Sequence, residues 1–285
     1  MTQVVDWYNP TNIKSYNKFL NFIIGGRGIG KTYGFKKDCI SRYKKKGKQF
    51  LYLRRYKTDL KKIKTFLNDQ FKNFKDDEFK ITGGSNFTTF YINGCEMGYA
   101  TSLTSFASLK STSYVDVDTI IVDEFIPEKA GFNAYIPNEV EILLNIIDSI
   151  FRQREGHVYL LANNVSIVNP YFSYFGISPN PEKEFNTFKG NDSVEQIIVQ
   201  ICHSDYKKGN KEKSKFHKLI SGTTYGDYNA GNFAYDTNDF IKKKTNVCDY
   251  LCTLYYDDIY YGVWMDMNTG YVYINQQINK EYGYC

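Results

Sequence analysis

The chain has 285 residues, of which 42% are hydrophobic and 24% are charged, as in an ordinary globular protein. Its formal charge of +5 is too small by itself to indicate a nucleic-acid partner. No apolar run approaches the roughly 18 residues of a membrane span and the N-terminus has no signal peptide, so we expect neither export nor a membrane partner. The six cysteines lack the spacing of a zinc site, which favours reduced thiols in a cytosolic protein.

The first predicted elements form a βαβ unit. Residues 20–24 are an apolar run that leads into a glycine-rich segment. From Thr32 to about Lys46, apolar residues recur at helical spacing, and residues 49–53 predict the next strand. This order implies a parallel sheet.

The glycine-rich segment between the first strand and helix matches the pattern Gly-x4-Gly-Lys-Thr. It comprises residues Gly25, Gly26, Arg27, Gly28, Ile29, Gly30, Lys31 and Thr32. Its glycines let consecutive backbone N–H groups wrap a phosphate, and the helix that follows adds the positive end of its dipole. We expect Lys31 to reach the β- and γ-phosphates of ATP and Thr32 to hold Mg²⁺.

A basic block follows the loop. From Lys36 to Lys64 there are 13 Lys or Arg residues against two acids, and residues 58–79 are predicted as a highly charged helix. The candidate contacts to DNA phosphates are Lys57, Lys61, Lys62 and Lys64. The alternative is that the block is simply a solvated helix face.

The next elements place acidic residues after a buried strand. Residues 80–100 alternate with glycine turns, which predicts hairpins. Residues 119–122 predict a fully apolar strand that ends in Asp123 and Glu124. Asp123 is expected to hold Mg²⁺, and Glu124 to orient and deprotonate the attacking water. The alternative is a strand that ends in two surface acids.

Further candidates come from residues 140–163. Residues 140–151 predict a buried helix and 157–162 another buried strand. Arg152 and Arg154, at the end of the helix, are candidates for an arginine finger, or they merely complement the helix dipole. Asn163 is either a polar sensor of the γ-phosphate or an ordinary turn residue.

The chain is predicted to have two domains. Buried strands among helices predict a doubly wound α/β domain with a central, mostly parallel sheet over residues 1–200. Residues 201–235 are polar or rich in Gly, Asn and Tyr, and predict a linker. Residues 236–285 predict a small β-rich domain.

With these residues assembled, the chain resembles the DNA-encapsidation ATPases of small, protein-primed tailed phages over nearly its whole length. Besides residues 24–31, the matching segments include Leu53-Arg54-Arg55-Tyr56-Lys57, Val122-Asp123-Glu124-Phe125-Ile126, Tyr135-Ile136-Pro137-Asn138-Glu139-Val140, Phe151-Arg152-x-Arg154-Glu155, Val168-Asn169-Pro170-Tyr171-Phe172, Gly222-Thr223-x-Tyr225-Gly226 and Gly262-Val263-Trp264-x-Asp266.

The resemblance implies an ASCE-type P-loop ATPase domain and a C-terminal domain like a degenerate RNase H fold without nuclease activity. It implies a homo-oligomeric ring, typically a pentamer, docked on the procapsid portal with a packaging RNA. Such a ring uses ATP to drive double-stranded DNA into the capsid. The expected location is the host cell cytoplasm, transiently at the portal vertex and not in the mature virion.

The resemblance also implies roles for single residues. Arg152 is the finger inserted into the neighbouring subunit's site, and Lys110 is a second basic residue acting across that interface. Arg27 senses nucleotide, and Asn163 links hydrolysis to motion. The basic 54–64 region faces the DNA pore. Because chains of the family run further, this one is expected to be truncated at Cys285.

Two other functions fit the same catalytic motifs. A terminase-like motor that also cuts DNA needs clustered metal-binding carboxylates, and the candidate acids of the C-terminal domain are Asp236, Asp239, Asp249, Asp257, Asp258 and Asp266. A nucleotide-gated assembly factor hydrolyses ATP slowly and moves nothing, and an intact Glu124 argues against it.

Overall fold

The computed structural model describes residues 7–106, 114–127, 135–166, 169–190, 194–202, 218–219, 244, 246–256, 258–267 and 272–279. By its contacts the chain divides into two compact units, Met1–Asp236 and Thr237–Cys285. No helix within the described ranges is long and apolar enough to cross a membrane.

The first unit alternates strands and helices. Its strands are β1 (Leu20–Gly25), β2 (Gln49–Arg54), β3 (Phe79–Gly83), β4 (Phe87–Ile92), β5 (Cys95–Ser102), β6 (Val117–Asp123), β7 (His157–Asn163), β8 (Phe185–Lys189) and β9 (Glu195–Cys202). Its α-helices are α1 (Thr11–Ser15), α2 (Lys31–Lys46), α3 (Glu139–Phe151) and α4 (Pro170–Phe175).

The nine strands form one sheet in the order β3-β4-β5-β2-β6-β7-β1-β9-β8. The six central strands, from β5 to β9, pair in parallel, and antiparallel strands lie at both edges. β7 lies between β1 and β6. The predicted α/β fold with a mostly parallel sheet is therefore confirmed.

Both faces of the sheet are covered, as a parallel sheet requires. Phe22 and Ile24 of β1 point to the core that α3 and α4 cover. Ile23 points to the opposite core, where it packs with Phe35 and Ile40 of α2. Each such side chain, fully buried, stabilises the fold by about 1.5–3 kcal/mol. The core thus fixes β1 and α2, the two elements that flank the glycine-rich loop.

The prediction of a charged helix over residues 58–79 is wrong. The segment contains three short 3₁₀ helices, Lys57–Leu60, Ile63–Thr65 and Asn68–Gln70, separated by turns. Its buried residues Leu60, Ile63, Leu67 and Gln70 recur every three or four positions, a spacing that 3₁₀ turns and an α-helix share. The segment also holds Asp59, Asn68, Asp69 and Asn73, whose side chains favour turns over helix interiors.

The hairpins predicted over 80–100 are confirmed as the antiparallel run β3-β4-β5. The turn between β4 and β5 is Asn93-Gly94, with φ of 50° and 80°. Positive φ at both central residues is the requirement of the tightest hairpin turn. This meander completes one edge of the sheet.

The second unit contains β10 (Cys248–Tyr256), β11 (Ile259–Asp266) and β12 (Val272–Asn275). They pair antiparallel in chain order, so the predicted β-rich unit is confirmed. Nearly all of the predicted linker, 201–235, lies outside the described residues. The exact domain boundaries stay a prediction.

Candidate nucleotide-binding and hydrolysis site

The carboxyl ends of four neighbouring strands lie on the same side of the sheet. Each of these strands ends in a polar residue or leads into a loop there. Gly25 ends β1, Asn163 ends β7, Asp123 ends β6 and Arg54 ends β2. Gly25 lies directly opposite Asn163 in the ladder. The carboxyl ends of parallel strands are where open α/β sheets bind ligands. The strand order therefore brings the predicted site residues together.

The glycine-rich loop has the conformation of a phosphate cradle. Gly28 and Gly30 adopt φ of 74° and 96°, which other residues rarely adopt. α2 begins immediately afterwards at Lys31, so the N–H groups of its first turn face the loop. The loop and helix start together offer backbone donors and a positive dipole end to an anion.

Lys31 is buried and lies across the loop. Its Nζ donates hydrogen bonds to the carbonyl oxygens of Gly25 at 2.8 Å and Gly26 at 3.1 Å, and to Oδ1 of Asn163 at 3.1 Å. The structure thus joins the predicted phosphate-binding lysine to the predicted sensor residue on β7. A phosphate that draws the ammonium toward itself changes the surroundings of Asn163 as well.

Thr32 and Asp123 meet as expected for a magnesium site. The Thr32 hydroxyl donates to Oδ2 of Asp123 at 3.0 Å, and the buried Tyr52 hydroxyl donates to the same oxygen at 2.7 Å. Burial, and then the charge of Asp123, raise the pKa of Tyr52, so it remains a donor. Mg²⁺ prefers one or two carboxylates with phosphate oxygens, and this hard-oxygen pair fits that preference.

Glu124 is held by Arg54 in a constrained backbone conformation. Nη2 of Arg54 lies 2.6 Å from Oε2 of Glu124, and its Nη1 is 3.8 Å from Oδ2 of Asp123. Burial by itself would lower the pKa of Arg54. The neighbouring Tyr52, Asp123 and Glu124 outweigh this effect, so the pKa of Arg54 lies above its ordinary value. Glu124 has a φ of 60° and its side chain is 46% exposed. A water molecule can therefore reach the carboxylate.

A buried ion pair lies behind the hydrolytic residues. Arg55 donates to both carboxylate oxygens of Glu139, at 2.7 and 3.0 Å, and to the carbonyl of Phe125 at 2.7 Å. The Tyr171 hydroxyl donates to the same carboxylate at 2.7 Å. Phe125 follows Glu124, and Glu139 begins α3. This network therefore joins the residues directly after Glu124 to that helix.

The two candidate arginines after α3 differ. Arg154 donates to the main-chain carbonyl oxygens of Tyr114 at 2.9 Å and Val117 at 3.3 Å, so it fastens the helix end to the start of β6 and the turn before it. Arg152 is exposed, with φ of 51° and ψ of −112°. Such a backbone is unfavourable for a residue with a side chain, and such strain clusters at functional sites.

The basic block is less uniform than its sequence suggests. Five of its 13 cations face carboxylates, in the pairs Lys36–Asp69, Arg42–Asp118, Lys44–Asp77, Arg54–Glu124 and Arg55–Glu139. The expectation that 54–64 faces a pore is therefore wrong for Arg54 and Arg55, which point into the protein. The predicted DNA contacts are exposed, namely Lys57, Lys61, Lys62 and Lys64. Lys110 lies outside the described residues.

Three residues were not identified from the sequence as part of this site. Tyr52, Arg54 and Arg55 lie at the end of β2 and hold Asp123, Glu124 and Glu139 respectively. The available signal was two arginines directly after an apolar strand, because charged residues at such a place are seldom buried without partners.

The site residues surround one cleft of about 260 Å³. Its lining includes the loop residues Arg27, Gly28, Gly30, Lys31 and Thr32, the acids Asp123 and Glu124, and Asn163. A phosphate chain held by the loop would thus lie beside the carboxylates of Asp123 and Glu124.

The chain is similar to known proteins over nearly its whole length. A family model described as "Podovirus DNA encapsidation protein (Gp16)" matches residues 2–282. The chain belongs to this family. A "DNA packaging protein" of Bacillus phage phi29 is 41% identical over 271 residues, which cover 94% of this chain and 78% of the relative. Its counterpart in Bacillus phage B103 is 43% identical over 262 residues, with coverage of 91% and 78%.

Solved structures of family members are similar as well. The N-terminal domain of the DNA packaging ATPase from bacteriophage phi29 superposes with a TM-score of 0.64 at 43% identity, covering 71% of this chain and 98% of that one. A chain of the phi29 viral genome packaging motor assembly gives 0.68 at 39% identity, covering 96% and 81%. This family member therefore has the fold of a packaging ATPase.

Proposed function

We propose that this chain hydrolyses ATP with Mg²⁺ and couples hydrolysis to the movement of double-stranded DNA into a preformed procapsid. One observation carries the proposal: Lys31, Thr32, Asp123, Glu124 and Asn163, from three separate segments of the chain, line one cleft. The names of its relatives, a DNA packaging protein and a genome packaging motor assembly, support the mechanical part.

The residues divide the chemical work as follows. The loop N–H groups and Lys31 bind the β- and γ-phosphates and stabilise the charge that grows on them in the transition state. Glu124 orients a water in line with the γ-phosphate and accepts its proton. Mg²⁺, held through Thr32 and Asp123, neutralises phosphate charge when bound. Asn163, bonded to Lys31, responds to the loss of the γ-phosphate.

The breaking bond to the γ-phosphate needs a further cation, and in this proposal Arg152 supplies it from a neighbouring subunit. A finger that acts between subunits requires a ring, here a homopentamer on the procapsid portal with a packaging RNA, in the host cell cytoplasm. Lys110 is the second basic residue of that interface. Lys57, Lys61, Lys62 and Lys64 contact the DNA backbone.

Mixed rings test the shared site. Glu124→Gln and Arg152→Ala should each be inactive alone, but in a random 1:1 ring about a quarter of the interfaces join an intact Glu124 to an intact Arg152. ATP hydrolysis by the full chain with procapsid and DNA should therefore recover to about a quarter of wild type.

The matched control mixes Glu124→Gln with Lys31→Ala. Both changes remove groups of the subunit that holds the nucleotide, so no interface of a mixed ring contains a complete site. This mixture should stay inactive. Confirmed mixed rings with no recovery in the first mixture would overturn the intersubunit role of Arg152. ATP-driven packaging by Lys31→Ala rings would overturn the whole proposal.

A further inference from the structure

The lining of the cleft, which has a volume of about 260 Å³, suits the phosphates of a nucleotide better than its base. The described lining is polar loop, carboxylate and amide, and Tyr33 is the one aromatic residue in it. The cleft therefore takes the phosphate chain, and the base of a bound nucleotide must lie beyond it.

Trp7 lies next to Tyr33 and directly against the loop. The two ring centroids are 5.7 Å apart at an interplanar angle of 39°. A Cβ added to Gly30 would come within 2.7 Å of Cε3 of Trp7, so the indole rests on the loop backbone itself. Even so, 46% of Trp7 is exposed. Much of a large aromatic surface is therefore open to solvent beside the phosphate cradle.

Hydrogen bonds and close packing hold the chain that bears Trp7 in place. The N–H of Tyr8 donates to the carbonyl of Ile29 at 3.0 Å, and its buried hydroxyl donates to Gln200 at 2.8 Å. A Cβ on Gly34 would come within 2.5 Å of the Tyr8 carbonyl oxygen, so the backbone at Tyr8 packs tightly against α2. Trp7 thus precedes a residue that is anchored through both its backbone and its side chain.

Tyr33 is also held in one position. Nδ2 of Asn73 lies 2.7 Å from the Tyr33 hydroxyl, and Nε2 of Gln70 lies 3.3 Å from its carbonyl oxygen. The last 3₁₀ helix and the residues after it thus orient the ring. Tyr33 lines the cleft and Trp7 lies against Gly30 of its loop, and aromatic side chains held in this way lose little side-chain entropy when a ligand binds them.

We propose that Trp7 and Tyr33 form an aromatic platform on which the purine base of the bound nucleotide stacks. Stacking on aromatic side chains is the recurrent way in which proteins hold a base without requiring a deep pocket. The inference rests on the proposed nucleotide hydrolysis, because the phosphate loop fixes the other end of the ligand. A packing role alone does not require 46% of Trp7 to be exposed.

Tryptophan fluorescence tests the platform without disturbing it. The chain has two tryptophans, Trp7 and Trp264. Emission of the wild type comes from both, and emission of Trp7→Phe comes from Trp264 alone, so the difference reports on Trp7. ADP with Mg²⁺ should quench the emission of wild type but not that of Trp7→Phe. Inorganic tripolyphosphate, which has phosphates but no base, should quench neither. ADP binding, verified by calorimetry, with unchanged wild-type emission would overturn the platform.

Affinities separate the base from the phosphates. Trp7→Ala should weaken ADP about 5- to 100-fold and leave tripolyphosphate unchanged, while Trp7→Phe keeps a ring and stays within about 3-fold of wild type. Equal losses for both ligands, or no loss for either, would contradict the platform. Wild type that binds neither ligand would instead refute the proposed nucleotide site. Fluorescence decides the matter if Trp7→Ala fails to fold.

Discussion

At the scale of single residues, Glu124 shows how the site imposes its geometry. Its φ of 60° is unfavourable for a residue with a Cβ, and its neighbours enforce it. The N–H of Phe125 donates to the carbonyl of Leu161 at 3.1 Å, while the Phe125 carbonyl accepts from Arg55 at 2.7 Å. Backbone contacts just beyond Glu124 therefore hold the carboxylate where it is needed, although the strained φ lowers stability.

We expect Glu124→Gly to be more stable than Glu124→Ala by about 1 kcal/mol, because glycine alone adopts this φ without strain. Both variants lose the carboxylate and its ion pair with Arg54, so the difference isolates the backbone. The free energy of unfolding in urea measures it. An alanine variant as stable as the glycine variant would show that the backbone relaxes and stores no strain.

The sequence predicted which residues line the cleft where those residues are neighbours along the chain. Lys31 and Thr32 belong to a contiguous loop, and Asp123 and Glu124 end an apolar strand. It missed Tyr52 and assigned Arg54 and Arg55 to a pore, because their partners lie 70 to 84 positions away in the chain. Charge along a sequence does not show which cations will meet carboxylates after folding.

At the scale of elements, α3 joins two parts of the mechanism. Its first residue, Glu139, is tied through Arg55 to the residue after Glu124, and Arg152 follows its last residue. Its 13 residues span about 20 Å. In the proposed mechanism, a displacement of the residues after Glu124 would reach Arg152 through this packed helix.

We expect Glu139→Gln to lower the free energy of unfolding by about 3 kcal/mol, because it leaves the buried Arg55 guanidinium without a countercharge. Glu141→Gln is the matched control, an exposed residue in the same helical turn, and should change stability by less than about 0.5 kcal/mol. Thermal or denaturant unfolding of both variants measures this. Equal stabilities would mean that the ion pair contributes no net energy.

The βαβ unit and the hairpins could be predicted, because strong periodicity and glycine turns specify them locally. The segment 57–70 could not, because an apolar residue every third or fourth position fits both an α-helix and a run of 3₁₀ turns. Packing decided between them: Leu60, Ile63 and Leu67 are buried in the core on the α2 side of the sheet.

At the scale of the whole molecule, the distribution of charge matters more than its total. The net charge is only +5, and five cations of the basic block are paired internally. The exposed lysines 57, 61, 62 and 64 remain at the surface of one short segment. DNA affinity from this segment should be electrostatic and independent of sequence.

Changing Lys57, Lys61, Lys62 and Lys64 together to Ala should reduce the salt dependence of DNA binding. The slope of log K against log salt should fall by about 0.9 for each DNA phosphate that the variant no longer neutralises. Lys183→Ala with Lys189→Ala, two exposed lysines at the β8 edge of the sheet, is the control and should leave the slope unchanged. Equal slopes for the four-lysine variant and wild type would place the DNA elsewhere.

The position of β1 inside the sheet has a mechanical consequence. Six residue pairs join it to β7 and six more to β9, both in parallel. A pull along the strand must therefore shear two ladders at the same time, instead of unzipping one bond after another. A nucleotide anchored at the end of β1 is therefore fastened to a strand that two parallel ladders hold against shear. An enzyme that moves DNA against the pressure of compacted DNA needs its bound nucleotide to be anchored at a strand of this kind.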